Sequence, residues 1–182
     1  MSEHSTETDL ETFHDAAAVQ TLPNMCKMII FPIWRYLMAH AADVAQYILE
    51  KTGKPITTIK LQKLVYYCQA WSLVWTEKPL FEEEIQAWAN GPVVPALYAK
   101  HRGLFEITAE NCLGGDSANL TDDEKDTIDH VLEGYADKPA MYLVQLSHAE
   151  QPWADARRGI PPGVKCSSVI SHAAMAEYYS AL

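Results

Sequence analysis

The strongest hydrophobic pattern of the chain lies between Thr57 and Trp75. Apolar or small residues recur there at spacings of three and four: Leu61, Leu64, Val65, Cys68, Ser72 and Trp75. This spacing predicts a helix with one buried stripe, which Thr57 or Thr58 can cap. The polar residues fall on its other faces: Lys60, Gln62, Lys63 and Gln69. We expect these four to be solvated, with partner contact as the alternative for Lys63, and we place the helix at the centre of the fold.

The segments on either side of this helix predict shorter elements. Apolar residues between Ala39 and Lys51 recur at helical spacing, and Gly53 supplies a stop signal. Residues 81–88 alternate in polarity, which predicts a short strand. Asn90-Gly91-Pro92 predicts a turn, because glycine permits a positive φ and proline fixes its own φ. Pro95 suits the first turn of the helix that follows.

The sequence of the second half of the chain predicts one more short strand and four more helices. We expect residues 105–108 to pair with the strand at 81–88. Thr121-Asp122-Asp123-Glu124 is a capping box, and the acidic residues also suit the dipole at a helix N-terminus. A shorter helix ends near Ser147, and one more helical turn follows Pro152-Trp153. The last helix is predicted over 169–181, with Ser167 or Ser168 as its cap.

Together these elements predict a mainly α fold. We expect a compact single-domain helical bundle of about six to seven helices, with room for a short two-stranded β ribbon. With 182 residues the chain is long enough for one hydrophobic core.

Residues 1–37 differ from the rest of the chain. Up to Asn24 the segment carries several Asp and Glu residues and no Lys or Arg, so it lacks the basic start of a secretory signal. The apolar stretch that follows is interrupted by Lys27, Pro32 and Arg35, and it is too short to span a bilayer. The segment is either an extension, flexible or docked as a partner-contacting arm, or the result of an over-extended start before Met38. The domain itself is predicted over residues 38–182.

Charge and cysteine usage narrow the function classes. The chain has 24 Asp and Glu residues against 14 Lys and Arg residues, a formal net charge of −10, which argues against a general nucleic-acid binder. The four cysteines are isolated in sequence, without metal-ligand or redox spacing: Cys26, Cys68, Cys112 and Cys166. This usage is typical of a reducing compartment, so we expect a cytoplasmic protein without a bound metal or cofactor.

No arrangement of residues in the sequence predicts catalysis. The chain lacks a nucleophile elbow and a glycine-rich phosphate loop, so we expect it not to be an enzyme. Cys68 with His148 or His101 is the one thiol–imidazole pair to consider, but Cys68 lies on the predicted buried stripe. We instead expect His148 to join Glu150 and Arg157 in a polar network.

Three motifs resemble the Panacea domain, also called the SocA-like antitoxin domain. They are KLQKLVYYCQAW at 60–71, IQAWANGPVVPALY at 85–98, and Leu146-Ser147-His148 followed by Pro152-Trp153-Ala154-Asp155-Ala156-Arg157. The resemblance extends over residues 39–182. It implies an antitoxin of a bacterial toxin–antitoxin pair that binds and neutralises a co-encoded protein toxin. It also implies, for SocA-like members, delivery of the toxin to a Clp-type ATP-dependent protease as a proteolytic adaptor.

Interface hot spots are rich in tryptophan, tyrosine and arginine, which suggests where a partner would bind. Trp88 alternates with Ile85 and Ala87, so it faces outward if those two face the core; the alternative is a Trp88 packed under the turn. The partner-binding candidates are Lys63, Trp88, Asn90, Gly91, Pro92, Tyr98, His148, Trp153 and Arg157. The alternative function is a nucleic-acid-binding transcriptional regulator. Its basic face would consist of Lys60, Lys63, Arg102, Arg157 and Arg158.

Overall fold

Helices dominate the part of the chain that the computed structural model describes, residues 38–111 and 113–182. The seven described helices are α1 (Ala41–Thr52), α2 (Thr58–Trp75), α3 (Pro95–His101), α4 (Asp122–Tyr135), α5 (Ala140–Ala149), α6 (Gln151–Ala156) and α7 (His172–Tyr179). Two short 3-10 turns, Ala109–Asn111 and Ser117–Asn119, lie between α3 and α4. The predicted mainly α class is confirmed, and the expectations for residues 1–37 and for Cys112 lie outside the described residues.

Helix α2 is the centre of the domain, as predicted, but it is buried on every side along most of its length. Helices α1, α4, α5 and α7 all pack against it. The predicted solvation of Gln62, Lys63 and Gln69 is therefore wrong, because all three side chains are buried. The predicted burial of Trp75 is also wrong: its side chain is 49% exposed, at the C-terminal end of the helix. A helix surrounded by four others has no solvated face, and its polar side chains must find partners inside the protein.

Gln69 shows how such a residue is accommodated. Its Oε1 accepts hydrogen bonds from the backbone N–H groups of Leu80 and Phe81, at 2.9 and 3.1 Å, and its Nε2 donates to the Phe81 carbonyl at 3.0 Å. One side chain thus satisfies three backbone groups of the loop that follows α2. This loop leads into the first strand of a hairpin.

Two small antiparallel sheets accompany the helices. Strand β1 (Ile56–Thr57) pairs with β4 (Glu106–Ile107), and β2 (Gln86–Trp88) pairs with β3 (Gly91–Val93). The predicted pairing of residues 105–108 with the strand at 81–88 is therefore wrong. The tight turn brings β3 onto one side of β2, and Gln86 bridges Val169 on the other side, so both edges of β2 are occupied.

Local capping signals identify most helix boundaries correctly. Gly53 follows α1 in the left-handed conformation with a φ of 59°, and Thr57 caps α2 by accepting from Lys60 N–H. Pro95 opens α3, and Thr121 and Glu124 form the predicted capping box of α4.

The last helix is the exception. Its cap is Ser171 rather than Ser167 or Ser168, because Ser168 and Ile170 form backbone hydrogen bonds with residues 85–87 and are held outside the helix.

None of the helices in the described ranges is long and apolar enough to cross a membrane.

Candidate interaction site

The β2–β3 hairpin is the feature around which the predicted site residues assemble. Trp88 pairs with Gly91, so the loop contains only Ala89 and Asn90. Gly91 has a φ of 99°, which favours glycine. A Cβ atom at this position would lie 2.6 Å from Cε of Lys63 and 2.8 Å from Oγ of Ser147. The predicted turn thus needs its glycine both for the backbone angle and for the close approach of α2 and α5.

Lys63 reaches the hairpin from α2. Its Nζ donates to the Pro92 carbonyl at 2.9 Å, and its side chain is only 1% exposed. Burial lowers the pKa of Lys63 from 10.5 to about 7, because the charged ammonium is costly away from water. Lys63 therefore positions strand β3 from inside the protein, and its ammonium group does not lie on the surface.

Arg157 holds the other strand. Its guanidinium donates to the carbonyls of Ala87 at 2.8 Å, Pro161 at 2.6 Å and Val164 at 2.7 Å, and its Nε donates to the Ile160 carbonyl at 3.2 Å. The side chain is 1% exposed. A planar group with five donors suits this task, since it satisfies carbonyls from two segments at once. Arg157 therefore joins β2 to the loop that follows α6.

Trp153 lies between this arginine and a histidine. Its Nε1 donates to the Trp88 carbonyl at 3.0 Å, and its ring is stacked on that of His148 with centroids 4.0 Å apart. The Arg157 guanidinium lies 4.8 Å from the Trp153 ring centroid, within the range of a cation–π contact.

The expected network of His148 with Glu150 is wrong in its contacts. The Glu150 carboxylate turns inward, where it accepts from the hydroxyls of Tyr179 at 2.6 Å and Tyr67 at 3.4 Å. His148 packs on the outer side of Trp153 instead. Burial, together with the charges of Lys63 and Arg157, lowers the pKa of His148. The neutral imidazole is therefore favoured at this position.

The hairpin, the first turns of α2 and helix α3 together line a small open pocket of about 150 Å³. Trp88 is half-buried, a position between the two alternatives that the sequence left open, and it meets the Tyr98 ring edge-on with centroids 4.9 Å apart. The pocket is lined by Thr58, Ile59, Gln62, Lys63, Trp88, Ala89, Asn90, Val93, Tyr98 and His101.

The side chains of Gln62 and Lys63, two buried polar residues that line this pocket, have partners within the fold. Gln62 Nε2 lies 2.9 Å from His101 Nε2, and Gln62 Oε1 accepts from Val94 N–H at 2.8 Å. Sequence reasoning did not select Ile59 and Gln62 for the site. Their signal was the spacing of Thr58, Ile59, Gln62 and Lys63, which lie on one face of the first turns of α2.

All nine predicted partner-binding residues thus lie on or around the hairpin, but at different depths. Asn90 is exposed, and Trp88, Tyr98 and His148 are half-buried. The others are buried: Lys63, Gly91, Pro92, Trp153 and Arg157. Binding by the nine residues stays a prediction, and the four that reach solvent are the ones a partner could touch directly.

The two alternative functions find little support in the described residues. Of the five cations proposed for a nucleic-acid-binding face, Lys63 and Arg157 are buried, and Lys60 donates to the Ala136 carbonyl. Cys68 is also buried, and burial raises the pKa of its thiol, which disfavours the reactive thiolate. Within residues 38–111 and 113–182, no cluster of three or more His, Cys, Asp or Glu side chains could hold a metal ion.

Comparison with known proteins identifies the family to which the chain is similar. Residues 61–154, which include β2, β3 and most of the pocket, match the family described as "Antitoxin SocA-like, Panacea domain". The chain is also similar to Antitoxin SocA of Caulobacter vibrioides (strain NA1000 / CB15N), with 30% identity over 127 residues, which cover 62% of this chain and 68% of that relative. No solved structure matches the chain.

Proposed function

Because the chain belongs to the antitoxin SocA-like Panacea-domain family, we propose that it is an antitoxin that binds and neutralises a co-encoded protein toxin. Family membership is the observation that carries this proposal. A relative with 30% identity is itself named an antitoxin. An antitoxin of this kind acts in the cytoplasm, where the toxin is synthesised, and acts by contact rather than by catalysis.

The hairpin supplies a surface suited to such contact. Trp88 and Tyr98 are half-buried and line the pocket beside it, and interfaces derive much of their binding energy from these residue types. Lys63, Trp153 and Arg157 hold the hairpin from below through hydrogen bonds to the carbonyls of Pro92, Trp88 and Ala87. A surface that is already held in place loses little conformational entropy on binding.

Neutralisation by this surface has two forms, which differ in the fate of the toxin. In the first, the antitoxin occludes the toxin and both proteins persist. In the second, the antitoxin acts as a proteolytic adaptor and presents the bound toxin to a Clp-type ATP-dependent protease. Both forms require the same primary contact, so the contact is tested first.

The test is co-expression of the full chain with the protein from the neighbouring reading frame. We expect that protein to arrest growth alone, to be tolerated beside this chain and to co-purify with it. If the level of the partner falls on co-expression, and recovers in cells without the Clp protease, the antitoxin is an adaptor. A partner that neither arrests growth nor binds would overturn the proposed function.

A pair of tryptophan variants tests the role of the hairpin. Trp88→Ala is expected to weaken toxin binding about tenfold or more, as for a typical hot spot. Trp75→Ala is the matched control, since Trp75 is 49% exposed at the far end of α2 and is not part of the hairpin. Circular dichroism confirms that both variants are folded. Equal binding by the two variants would place the interface elsewhere.

A further inference from the structure

Aromatic rings form a continuous path from the surface into the core. Trp75, at the C-terminal end of α2, is 49% exposed, and its ring is stacked on that of Trp71 with centroids 5.0 Å apart. The Trp71 ring meets that of Tyr179, on α7, with centroids 5.4 Å apart. Both separations lie in the range of direct aromatic contact. We call Trp75, Trp71 and Tyr179 the aromatic chain, since it joins solvent to a phenol that is only 1% exposed.

A proton acceptor lies at the inner end of the aromatic chain. The Tyr179 hydroxyl donates to Oε2 of Glu150 at 2.6 Å, a distance typical of a hydroxyl that donates to a carboxylate. Glu150 is 4% exposed. Within the described residues, the titratable side chains that interact with this carboxylate are all phenols: Tyr66 and Tyr67 on α2, Tyr135 on α4, and Tyr178 and Tyr179 on α7. The carboxylate has no cationic partner among these residues, so it is available as a base.

The redox chemistry of the aromatic chain follows from its side chains. Indole and phenol rings give up a single electron more readily than aliphatic or amide groups do, and electrons tunnel readily between rings in contact. A phenol that loses an electron becomes strongly acidic, so its oxidation requires a nearby base. Transfer of the Tyr179 proton to Glu150 leaves a neutral phenoxyl radical beside a neutral carboxylic acid. This outcome avoids a buried charge, which favours Tyr179 as the final site of oxidation.

We propose that the aromatic chain conducts one electron from buried Tyr179 to a free-radical oxidant that meets Trp75 at the surface. The oxidant takes one electron from the Trp75 indole and is thereby reduced. Trp71 then supplies an electron to Trp75, and Tyr179 supplies one to Trp71, while the phenolic proton passes to Glu150. In total, the oxidant gains one electron, Tyr179 loses one electron and one proton, and Glu150 gains that proton. This relay is independent of the proposed antitoxin function.

The relay keeps the exposed indole of Trp75 intact. An indole radical in contact with water and oxygen is converted permanently into oxygenated products. The electron from Trp71 returns Trp75 to its original state before such products form. The phenoxyl radical of Tyr179 is shielded from solvent, and a reductant that meets Trp75 restores it by the same path in reverse.

The first experiment follows the radicals directly. A light flash generates a ruthenium(III) polypyridyl oxidant in a solution of the full chain, and transient absorbance and electron paramagnetic resonance distinguish indole from phenoxyl radicals. We expect an indole radical that converts to a phenoxyl radical. Tyr179→Phe should lose the phenoxyl signal, and Trp71→Phe should delay that signal and prolong the indole signal, because phenylalanine does not relay the electron.

Tyr47→Phe is the matched control for both variants. Tyr47 is half-buried on α1, and its hydroxyl donates to Asp129, outside the aromatic chain. This variant should show the signals of the unaltered chain, and circular dichroism confirms that all variants are folded. The proposal would be overturned by the absence of a phenoxyl radical from the unaltered chain. An unchanged phenoxyl signal in both Tyr179→Phe and Trp71→Phe would overturn it as well.

Glu150→Gln tests the proton transfer. An amide does not accept the phenolic proton, so we expect this variant to lose the phenoxyl signal and to retain a longer-lived indole radical. In the unaltered chain the phenoxyl yield should rise as pH increases through about 7, because burial raises the pKa of Glu150 to about 7 and the carboxylate forms above that value. A phenoxyl yield that Glu150→Gln leaves unchanged would contradict the role of Glu150.

Exposure to peroxyl radicals tests the protection of the surface indole. After the exposure, mass spectrometry of proteolytic peptides measures the oxygen added to Trp75. Trp71→Phe interrupts the supply of electrons and should increase the oxidation of Trp75, whereas Tyr47→Phe should leave it unchanged. Equal oxidation of Trp75 in the unaltered chain and in Trp71→Phe would show that the aromatic chain does not protect it.

Discussion

Two buried ionisable residues in this domain, Glu150 and Lys63, differ in the hydrogen-bond partners that surround them. Glu150, between α5 and α6, accepts hydrogen bonds from the hydroxyls of Tyr67 and Tyr179, and the Tyr66 hydroxyl lies 3.3 Å from that of Tyr179. We call these four residues the tyrosine cluster. Lys63, by contrast, is buried with a hydrogen bond to one carbonyl, that of Pro92, at the edge of an open pocket.

The tyrosine cluster connects helices within the core, whereas Lys63 and Arg157 support a hairpin beside an open pocket. The tyrosine cluster joins α2 and α7 to the junction of α5 and α6, and its hydroxyls satisfy the buried acid. At the hairpin, Lys63 and Arg157 have backbone carbonyls rather than carboxylates as hydrogen-bond partners, and Arg157 also contacts the Trp153 ring. Desolvation of these groups is therefore offset without an opposite charge. Native proteins tolerate such costs where position matters, which agrees with a functional hairpin.

The largest effect is expected from Arg157→Ala. The change removes four charge-assisted hydrogen bonds, one of them to the carbonyl of buried Ala87. We expect the free energy of unfolding to fall by about 4 kcal/mol. The neighbouring Arg158→Ala is the control, because Arg158 is exposed and should change stability by less than about 0.5 kcal/mol. Urea unfolding measures both variants. Similar losses for the two arginines would show that the buried contacts contribute little.

The pH dependence of stability distinguishes the two buried groups. The pKa of Glu150 is raised by burial from 4.5 to about 7, so the folded chain binds more protons than the unfolded chain between these values. Unfolding free energy therefore falls as pH rises from 4.5 to 7. The pKa of Lys63 is lowered from 10.5 to about 7, so the unfolded chain binds more protons between 7 and 10.5, and stability rises with pH there.

The expected change in unfolding free energy is on the order of 3 kcal/mol for Glu150 between pH 4.5 and 7 and on the order of 4 kcal/mol for Lys63 between pH 7 and 10. Glu150→Gln should abolish the fall in unfolding free energy below pH 7 and leave its rise above pH 7. Lys63→Met should abolish the rise above pH 7 and leave the fall below pH 7. Unfolding midpoints in urea across the range from about pH 5 to 10 measure both effects. If either variant retained the slope assigned to its own residue, that assignment would be wrong.

Gly91→Ala is expected to destabilise by about 2 kcal/mol. The new residue would have to adopt a φ of 99°, and its Cβ would lie 2.6 Å from Cε of Lys63. The control is Gly134→Ala in α4, where a Cβ meets nothing within 4 Å, and this change should stabilise by about 0.5–1 kcal/mol. Thermal unfolding of the two variants shows directly whether each substitution raises or lowers stability. Stabilisation by both changes would show that the hairpin tolerates a side chain at Gly91.

Tyr179→Phe is expected to have the smallest effect, a loss of about 1 kcal/mol at pH 5. The change removes the 2.6 Å hydrogen bond from the Tyr179 hydroxyl to Glu150. The loss should grow at pH 8, because the carboxylate is then ionised and needs its donor more. Tyr178→Phe is the control, since Tyr178 is only half-buried on the same helix. A loss independent of pH would mean that the bond does not discriminate between the protonation states of Glu150.

The nine predicted partner-binding residues differ in how well the sequence indicates their burial. Trp88, Asn90, Gly91 and Pro92 lie together in one predicted turn motif, and the structure exposes Asn90, leaves Trp88 half-buried and buries Gly91 and Pro92. Lys63 and Arg157 are among the predicted partner-binding residues, and both are buried beneath the hairpin. Ile59 and Gln62 line the pocket but are not among the nine predicted residues, although their spacing places them on the same face of α2 as Lys63.

The sequence by itself determined the mainly helical class, the central helix and most helix boundaries, because hydrophobic periodicity and end-capping act between residues a few positions apart. Only the tertiary structure decided which polar residues of α2 are buried and which short strands pair. Those outcomes depend on partners far along the chain. The acceptor of Lys63 lies 29 residues away, and the Ala87 carbonyl bound by Arg157 lies 70 residues away. No local pattern records such contacts, since they form only when the packed helices exclude water from both groups.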